Sequence, residues 1–429
     1  MSHGAGVAGS HALLPLIIIH QNKRASAVKK RTPHFQWFAG LLLLSFSMQA
    51  TAYVGLCCGK CGGNMPMNIL GGGIPETHEF RFKISPMLMR MDGLRDGTSS
   101  VDPASILGMP APGVYMAAPT AMDMRMLNVA AGYSFSDRFF AGAMLMYKDN
   151  EMDMLFNGVM ADMTGQPGFT MESSGIADTM LMAKYRLFAD DPLIPTRQAS
   201  LFFGLSLPTG SIDEKNKNHP FGPNHPMVMM GNAPNRQKEL LPYGMQLGSG
   251  TVDPSIGLLY QASSSPWWWG VNGIYTARLY DNKRDYRLGD EFRLDAYAMY
   301  QFRHNLLAQV QLNGEYKGKI DGVMDAFASG ASGHAMQGTA ASPAMTPLWE
   351  TENYGGNKLF ATVGLQWQPA PLHVIDLNIG VPLYQDLNGP QLETDYRVML
   401  TWFVELPTKK SIRYGLGKPQ PAADSALGF

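Results

Sequence analysis

The densest chemistry in the sequence is sulfur. Cys57, Cys58 and Cys61 fall in one short run, and Met65, Met67 and His78 follow it. Thiolates and thioethers are soft donors that select Cu(I), so Cys57, Cys58, Cys61, Met65, Met67 and His78 form a candidate copper site. An odd cysteine count in an oxidising compartment equally allows one disulfide with a spare thiol, or an intermolecular bridge. Adjacent Cys57 and Cys58 pair with each other only under strain. Leu56 and Lys60, the residues before Cys57 and Cys61, are not the small residue that lipid attachment to a cysteine needs.

The chain also carries 30 methionines, many in clusters such as Met87-Leu-Met89-Arg-Met91, Met122-Asp-Met124-Arg-Met126 and Met144-Leu-Met146. Methionine is an adaptable apolar side chain, and the simplest reading is that it fills packed faces in place of Leu or Val. Met152-Asp-Met154, Met160 to Met163 and Met227 to Met230 fall instead in expected loops, beside Asp153, Asp162, His219 and His225. There they suit capture of a soft ion or a flexible apolar surface.

Enzymatic chemistry has no comparable signal. The sequence holds no G-x-S-x-G, H-E-x-x-H or phosphate-loop motif, and no C-x-x-C pairs at zinc-finger spacing. His304 and His373 fall at short turns, where a solvated imidazole is the default, and Gly71-Gly-Gly73 lacks the strand and helix that frame a nucleotide loop. A net charge of −1 gives no field to attract a nucleic-acid backbone, so nucleic acid is not an expected partner.

The elements that would position these residues are strands. Only 16% of residues are charged, with 46 glycines and 10% aromatics in 429 residues, a composition that leans towards a membrane β-protein. Near the N-terminus, Lys29, Lys30 and Arg31 precede the apolar run Trp37 to Met48 and then Gln49-Ala50-Thr51-Ala52, the pattern of a Sec-type signal peptide cleaved before Tyr53. No other apolar run approaches the roughly 20 residues of a transmembrane helix, so a membrane form must be a barrel.

Period-2 alternation supports that form, because lipid-facing and lumen-facing side chains alternate along a barrel strand. Val310 and Leu312 alternate with Gln309, Gln311, Asn313 and Glu315; Phe292 and Leu294 alternate with Glu291, Arg293 and Asp295. Leu181, Ala183, Tyr185 and Leu187 oppose Lys184 and Arg186, and Ile375, Leu377 and Ile379 oppose Asp376 and Asn378. The expected lumen lining is therefore Lys184, Arg186, Glu291, Arg293, Asp295, Gln309, Gln311, Asn313, Glu315, Asp376 and Asn378. Twelve strands are expected, near 80–91, 124–134, 138–148, 175–188, 198–208, 251–262, 267–280, 290–302, 305–317, 357–368, 373–383 and 395–406. Short and longer connections alternate between them, which puts both termini on the periplasmic side. Aromatics including Trp267 to Trp269, Tyr300, Tyr316, Trp367 and Trp402 mark strand ends, as interfacial girdles do. A soluble β-sandwich or lipocalin-like barrel would also alternate, but would not place bulky charges on its inner face.

Several segments then resemble a known family. Gly175-Ile-Ala-Asp178 running into Ala183-Lys-Tyr-Arg-Leu187, Leu205-Ser-Leu-Pro-Thr-Gly210, Leu247-Gly-Ser-Gly-Thr251 and Val381-Pro-Leu-Tyr-Gln-Asp-Leu-Asn-Gly-Pro-Gln-Leu392 look like the MetA-pathway of phenol degradation family, over roughly residues 80 to 406. The resemblance implies an outer-membrane barrel loosely related to channels that pass hydrophobic and aromatic compounds, and it fixes no functional residues.

The sequence thus sets out an all-β transmembrane antiparallel β-barrel of about twelve strands. Residues 1–52 form a signal peptide and upstream extension, 53–79 a flexible periplasmic segment, 80–406 the barrel, and 407–429 a tail running past the last strand. The expected function is a non-enzymatic channel for small hydrophobic or aromatic compounds in the Gram-negative outer membrane; the alternative is a barrel that handles copper through its Cys and Met clusters. Expected partners are outer-membrane lipid, the barrel assembly machinery, and either the solute or a soft metal ion.

Overall fold

Side chains of a β-strand point alternately to its two faces, so a sheet of alternating strands has one apolar and one polar surface and can close only one way in lipid. A computed structural model of the chain describes residues 65–69, 78–109, 113–191, 195–328, 344–411 and 414. The expected signal peptide, Cys57, Cys58, Cys61, Gly71 to Gly73 and nearly all of the 407–429 tail beyond Ser411 lie outside the described residues.

The described residues form fifteen strands: β1 (Glu79–Gly97), β2 (Ser99–Val101), β3 (Ala117–Ser134), β4 (Phe139–Phe156), β5 (Gly168–Ile176), β6 (Thr179–Ala189), β7 (Arg197–Leu207), β8 (Asp253–Ser264), β9 (Trp267–Thr276), β10 (Tyr286–Arg287), β11 (Glu291–Arg303), β12 (Leu306–Lys317), β13 (Asp321–Gly322), β14 (Gly356–Ala370) and β15 (His373–Pro407). The main sheet runs β15-β14-β12-β11-β9-β8-β7-β6-β4-β3-β1, and β1 pairs back to β15 to close the ring. β2 and β5 extend the wall beside β1 and β4, and β10 pairs with β13 in a separate ribbon.

Eleven strand elements close this ring, yet its antiparallel order requires an even number of staves. Ten antiparallel strands from β1 to β14 leave β14 running opposite to β1, while β15 is antiparallel to both. β15 must therefore double back. Residues 373–387 run along β14 and 387–407 along β1, and Leu387 is the register partner of both Gly356 and Gly97. The reversal falls at Asn388-Gly389, where Gly389 takes a φ of 69°, open to glycine at little cost. Counted by arms, the barrel has the expected twelve staves, and 373–383 and 395–406 are two arms of one element.

Several strands outrun their expected ends. β3 begins at Ala117 rather than near 124, and β4 continues to Phe156 rather than ending near 148. Beyond Tyr147 the outward side chains of β4 become Asp149, Glu151 and Asp153, while the inward face carries Lys148 and Asn150 and then the buried Met152, Met154 and Phe156. Alternation keyed to an apolar outer face takes that stretch for a loop, but the backbone ladder continues. The expected strand 175–188 is interrupted at Ala177-Asp178. The Asp178 carboxylate there accepts hydrogen bonds from the Gly210 N–H (3.0 Å), the Ser249 N–H (2.7 Å) and the Ser249 hydroxyl (2.8 Å), tying the β7–β8 connection to the rim.

The long connections fold over one end of the barrel. Met122, Met152, Met154, Met160, Met171, Met245 and Met345 pack there with Phe156, Phe221, Leu241 and Leu348 in one buried apolar cluster. The methionines of 152–154 and Met160, expected in open loops as soft-ion donors, are thus strand or helix residues in an apolar core. Met229 and Met230 remain exposed.

Candidate functional site

The two faces of the wall carry opposite chemistry. On β12, Val310 is 57% exposed and Leu312 49%, whereas Gln309 and Gln311 are 2% and 3% exposed. The outward set continues around the ring with Phe82, Ile84, Leu127, Val129, Leu181, Leu258, Val271, Leu294, Val363, Leu365 and Ile379, all exposed. Rings border this band: Trp267, Trp269, Tyr300, Trp367 and Trp402 near the short-turn end, Tyr147, Tyr275, Phe292 and Tyr316 near the other. An exposed apolar belt between aromatic girdles is what a lipid bilayer stabilises.

All eleven residues expected in the lumen lie on the inner face. Lys184, Arg186, Glu291, Gln309, Gln311, Asn313, Asp376 and Asn378 are buried, and Arg293, Asp295 and Glu315 are partly so. Their contacts skip over intervening strands, as only side chains inside a closed wall can. From β12, Gln309 Nε2 donates to Asp376 Oδ1 (2.7 Å) and Asn378 Oδ1 (2.6 Å) on β15, past β14. Arg397 donates to Glu315 Oε1 (2.8 Å) and Asn313 Oδ1 (2.9 Å), with its guanidinium 4.1 Å from the Phe360 ring centroid. Arg293 pairs with Glu291 on the same strand. β12, β14 and β15 thus present a wall of amides, hydroxyls and paired charges.

The opposite arc carries an apolar patch, with Lys83, Lys184, Arg186, Gln198 and Gln261 on the inner face nearer the short turns. Methionines spaced two apart on β1, β3, β4 and β6 all face inward and lie in register: Met91 opposes Met122, Met122 opposes Met152 and Met152 opposes Met171. Lower on the wall Met87 opposes both Met126 and Met399, and Met144 opposes Met180. Continuing around the ring, Phe202 (β7), Leu259 (β8) and Ile274 (β9) form a buried inner cluster against which Met180 and Met182 pack. Among these, Asn272 of β9 is 0% exposed, and neither its Oδ1 nor its Nδ2 has a hydrogen-bond partner among the described residues. Sequence reasoning misses this arc because it equates polar with lumen; the available signal is the run Leu201-Phe202-Phe203, where alternation lapses because both faces are apolar.

The second feature missed is the N-terminal segment. The sequence places 53–79 outside the barrel wall, but Met65–Ile69 lies inside, in the half of the lumen near the short turns. Its apolar side chains, Met65 (0% exposed) and Ile69 (2%), pack with Trp268, Tyr297, Met299 and Leu307. Its polar groups turn to the other wall: Met67 N–H donates to Asp376 Oδ2 (2.8 Å), Lys83 Nζ to the Met67 carbonyl (2.9 Å) and Gln366 Nε2 to the Met65 carbonyl (2.8 Å). Asn68 and Gln311 exchange amide hydrogen bonds of 2.9 and 3.0 Å. A periplasmic position would leave Met65 and Ile69 in water; the lumen offers an apolar cleft and a partner for each of these backbone groups.

This placement dissolves the described part of the candidate copper site. Met65 is enclosed by apolar side chains, while His78 sits at the start of β1 with its Nδ1 3.4 Å from the Tyr133 hydroxyl. Among the described residues no group of three or more His, Cys, Asp or Glu is arranged to hold a metal.

The loops over the mouth hold their own buried polar groups. His219 is ringed by Phe156, Phe169 and Phe221, its Nδ1 accepts from the Phe221 N–H (3.1 Å), and burial pushes its pKa down to about 3. Arg236 and Glu239 pair at 3.2 Å in the same connection; burial lowers the first pKa and raises the second. Tyr115, hydrogen-bonded to Glu350 at 3.1 Å, is pushed up to about 12, by burial first. Arg284 clamps Asp213 (2.6 Å) and Asp325 (3.0 Å), joining three connections; the hydrogen bonds from Lys283 and Arg284 hold the Asp213 carboxyl below its usual range.

Residues 242–349 match the family described as "Putative MetA-pathway of phenol degradation", in agreement with the resemblance read from the sequence. No curated protein sequence matches the chain at a significant level. Among solved structures the chain is similar to an outer membrane channel from Pseudomonas putida F1, with a TM-score of 0.50 and 10% identity over 79% of this chain and 100% of that one. It is also matched, at a TM-score of 0.36 and 9% identity, to a FadL homologue of Pseudomonas aeruginosa over 81% of this chain and 95% of that one. A third match is the toluene transporter TodX of Pseudomonas putida, at a TM-score of 0.35 and 9% identity, covering 78% and 91% of the two chains. At 10% identity the first match establishes a shared fold, that of an outer-membrane β-barrel.

Proposed function

We propose that this chain is a channel that passes small hydrophobic compounds, aromatic ones among them, across the outer membrane. The observation that carries the reading is the two-sided middle of the lumen, where an apolar patch of Met180, Met182, Phe202, Leu259 and Ile274 lies on β6 to β9 and amides and paired charges line β12, β14 and β15. A wholly polar lumen would exclude apolar solutes, and a wholly apolar one would hold them. A polar wall facing an apolar one lets a solute keep one side on carbon and sulfur while its polar edge stays hydrogen-bonded.

In this reading the lining residues Lys184, Arg186, Glu291, Arg293, Asp295, Gln309, Gln311, Asn313, Glu315, Asp376 and Asn378 set selectivity, and Met65–Ile69 closes the lower lumen until it moves aside. Nothing in the arrangement asks for bond-making chemistry, and the role is transport rather than catalysis.

The test is uptake by proteoliposomes of a polar aromatic that crosses lipid slowly, such as 4-hydroxybenzamide, against a sugar of similar mass. Faster uptake of the aromatic than in protein-free vesicles, without a matching gain for the sugar, supports the channel. Equal acceleration of both describes a general pore and overturns it, as does no acceleration of either.

A further inference from the structure

Beside the apolar patch, Asn272 differs from the other buried amides of the described residues in lacking a hydrogen bond at both ends. Asn272 faces inward on β9, with Leu259 as its register partner on β8 and Asp295 on β11. It is fully buried, and among the described residues both ends of its amide lack a partner, although an amide offers two donors and two acceptor lone pairs. Asp295 does not serve it; that carboxylate instead accepts from Asn313 Nδ2 at 2.6 Å. A buried unpaired amide costs stability that an apolar side chain of the same shape would not, so its retention here needs another explanation.

Its surroundings supply one. Phe202, Leu259 and Ile274 make the buried apolar cluster on the adjoining inner face, and Met180 and Met182 pack over them. Methionine thioethers are flexible, polarisable and attracted to the edges of aromatic rings, and so make a cover that can part and then re-form around a ring. We infer that this corner of the lumen is a binding station for a flat aromatic molecule bearing one hydrogen-bonding substituent. The ring lies between Phe202, Leu259 and Ile274 on one side and Met180 and Met182 on the other. The substituent pairs with the Asn272 amide, which is the group that otherwise goes unpaired. The station rests on the channel reading and names the solute class for it.

The experiment reads equilibrium binding to the purified, folded barrel in detergent, by calorimetry, with phenol, toluene and cyclohexanol as probes; uptake is not the readout. Phenol tests ring and hydroxyl together, toluene removes the hydroxyl and cyclohexanol removes the ring. Wild type should bind phenol most tightly. Asn272→Leu should weaken phenol by about 2- to 12-fold, the worth of one hydrogen bond, and leave toluene unchanged. Met180→Leu with Met182→Leu, which preserves volume, should weaken phenol and toluene and leave cyclohexanol unchanged. Heat-modifiable mobility on gels establishes that each variant is folded; if Asn272→Leu does not fold, Asn272→Ala, which also removes the amide, is read in its place, with the same phenol-specific loss expected. Phenol affinity unchanged in the Asn272 variant, or uniform weakening of all three probes, overturns the station. A barrel that accelerates aromatic uptake without these affinity differences would overturn the station alone and leave the channel standing.

Discussion

The wall is read as lipid-facing on one side and lumen-facing on the other, and β12 offers the sharpest place to test this. Val310 lies mid-strand, 57% exposed, with Ala298 and Val363 as its ladder neighbours, and Val363 is itself 57% exposed. Tyr316 is on the same outer face, one residue from the end of the strand, and is 48% exposed. An arginine at the bilayer midplane costs about 2 to 4 kcal/mol in such barrels, and about 0 to 1 near the interface. Val310→Arg should therefore shift the folding equilibrium by roughly 30- to 700-fold, and Tyr316→Arg by no more than about fivefold. Gln311→Arg lies between them in sequence but faces inward, 3% exposed, where it meets Asn68, Asn313 and Asn378 rather than lipid. It should escape the lipid penalty and alter conductance instead. The assay is urea unfolding of the three variants in lipid vesicles, followed by tryptophan fluorescence and checked by refolding. Equal losses at 310 and 316, or a loss at 311 as large as at 310, would refute a depth-dependent lipid face.

Further outcomes follow from the interior and the mouth. Cysteines introduced at Asn68 and Gln311, joined by a short bis-maleimide with Cys57, Cys58 and Cys61 changed to Ser, should hold Met65–Ile69 in place and lower bilayer conductance relative to the unjoined protein; unchanged conductance would mean the segment does not obstruct the pore. Arg397→Gln leaves Glu315 without its 2.8 Å partner, so the reversal potential in a KCl gradient should move towards cation selectivity, and a shift towards anions would contradict the inner-face assignment. His219 has a folded pKa of about 3 against 6.5 for the free side chain, so its neutral form contributes stability that is complete above about pH 6.5 and is lost as pH falls towards 3. Hydrogen-exchange protection of residues 216–239, corrected for intrinsic rate, should decline over that window, and His219→Phe should flatten the decline. Met152→Leu should cost less than about 1.5 kcal/mol, and Met152→Ala about 2 to 5, if the cap methionines serve as packing; equal costs in unfolding experiments would point to a role for the sulfur itself.

How far the sequence reaches depends on which rule each segment obeys. Strand β12 was fully legible, because Gln309, Gln311 and Asn313 alternate with Val310 and Leu312 and the two faces meet different solvents. The expected 80–91 strand was found but its faces were not. In Met87-Leu-Met89-Arg-Met91 the one charge, Arg90, shares the outer face with Leu88, so a rule that reads polar as lumen turns the methionines outward, whereas they face inward. The ends of β3 and β4 were lost for a related reason, since above the lipid the outer face becomes charged and the familiar pattern inverts. The placement of Met65–Ile69 rests on contacts more than two hundred residues away in sequence, Met67 to Asp376 and Asn68 to Gln311 among them, which no local pattern encodes. Pro66 and the glycines after Leu70 disfavour a strand, and Met65–Ile69 forms none, yet a segment that is not a strand can still lie inside the wall.

The length of the tall strands has a mechanical consequence. β1, β3 and β4 contain 19, 18 and 18 residues, whereas roughly 9 to 11 suffice to cross a bilayer. Their outer faces change character within one rung of the ladder. Leu127 pairs with Tyr147, and two residues up each strand Arg125 pairs with Asp149; Leu88 lies beside Arg125, and Arg90 beside Asp123. That boundary is a waterline drawn on the wall. Sinking the barrel by one rung would drag Arg125, Asp149 and Asp123 into hydrocarbon, and raising it would strand Leu127 and Tyr147 in water, so on this side the molecule has a single depth at which it can float. A membrane only a few ångströms thicker or thinner must then bend to meet these three strands, and the barrel sets the local thickness of the bilayer around it as much as the bilayer sets the barrel's height.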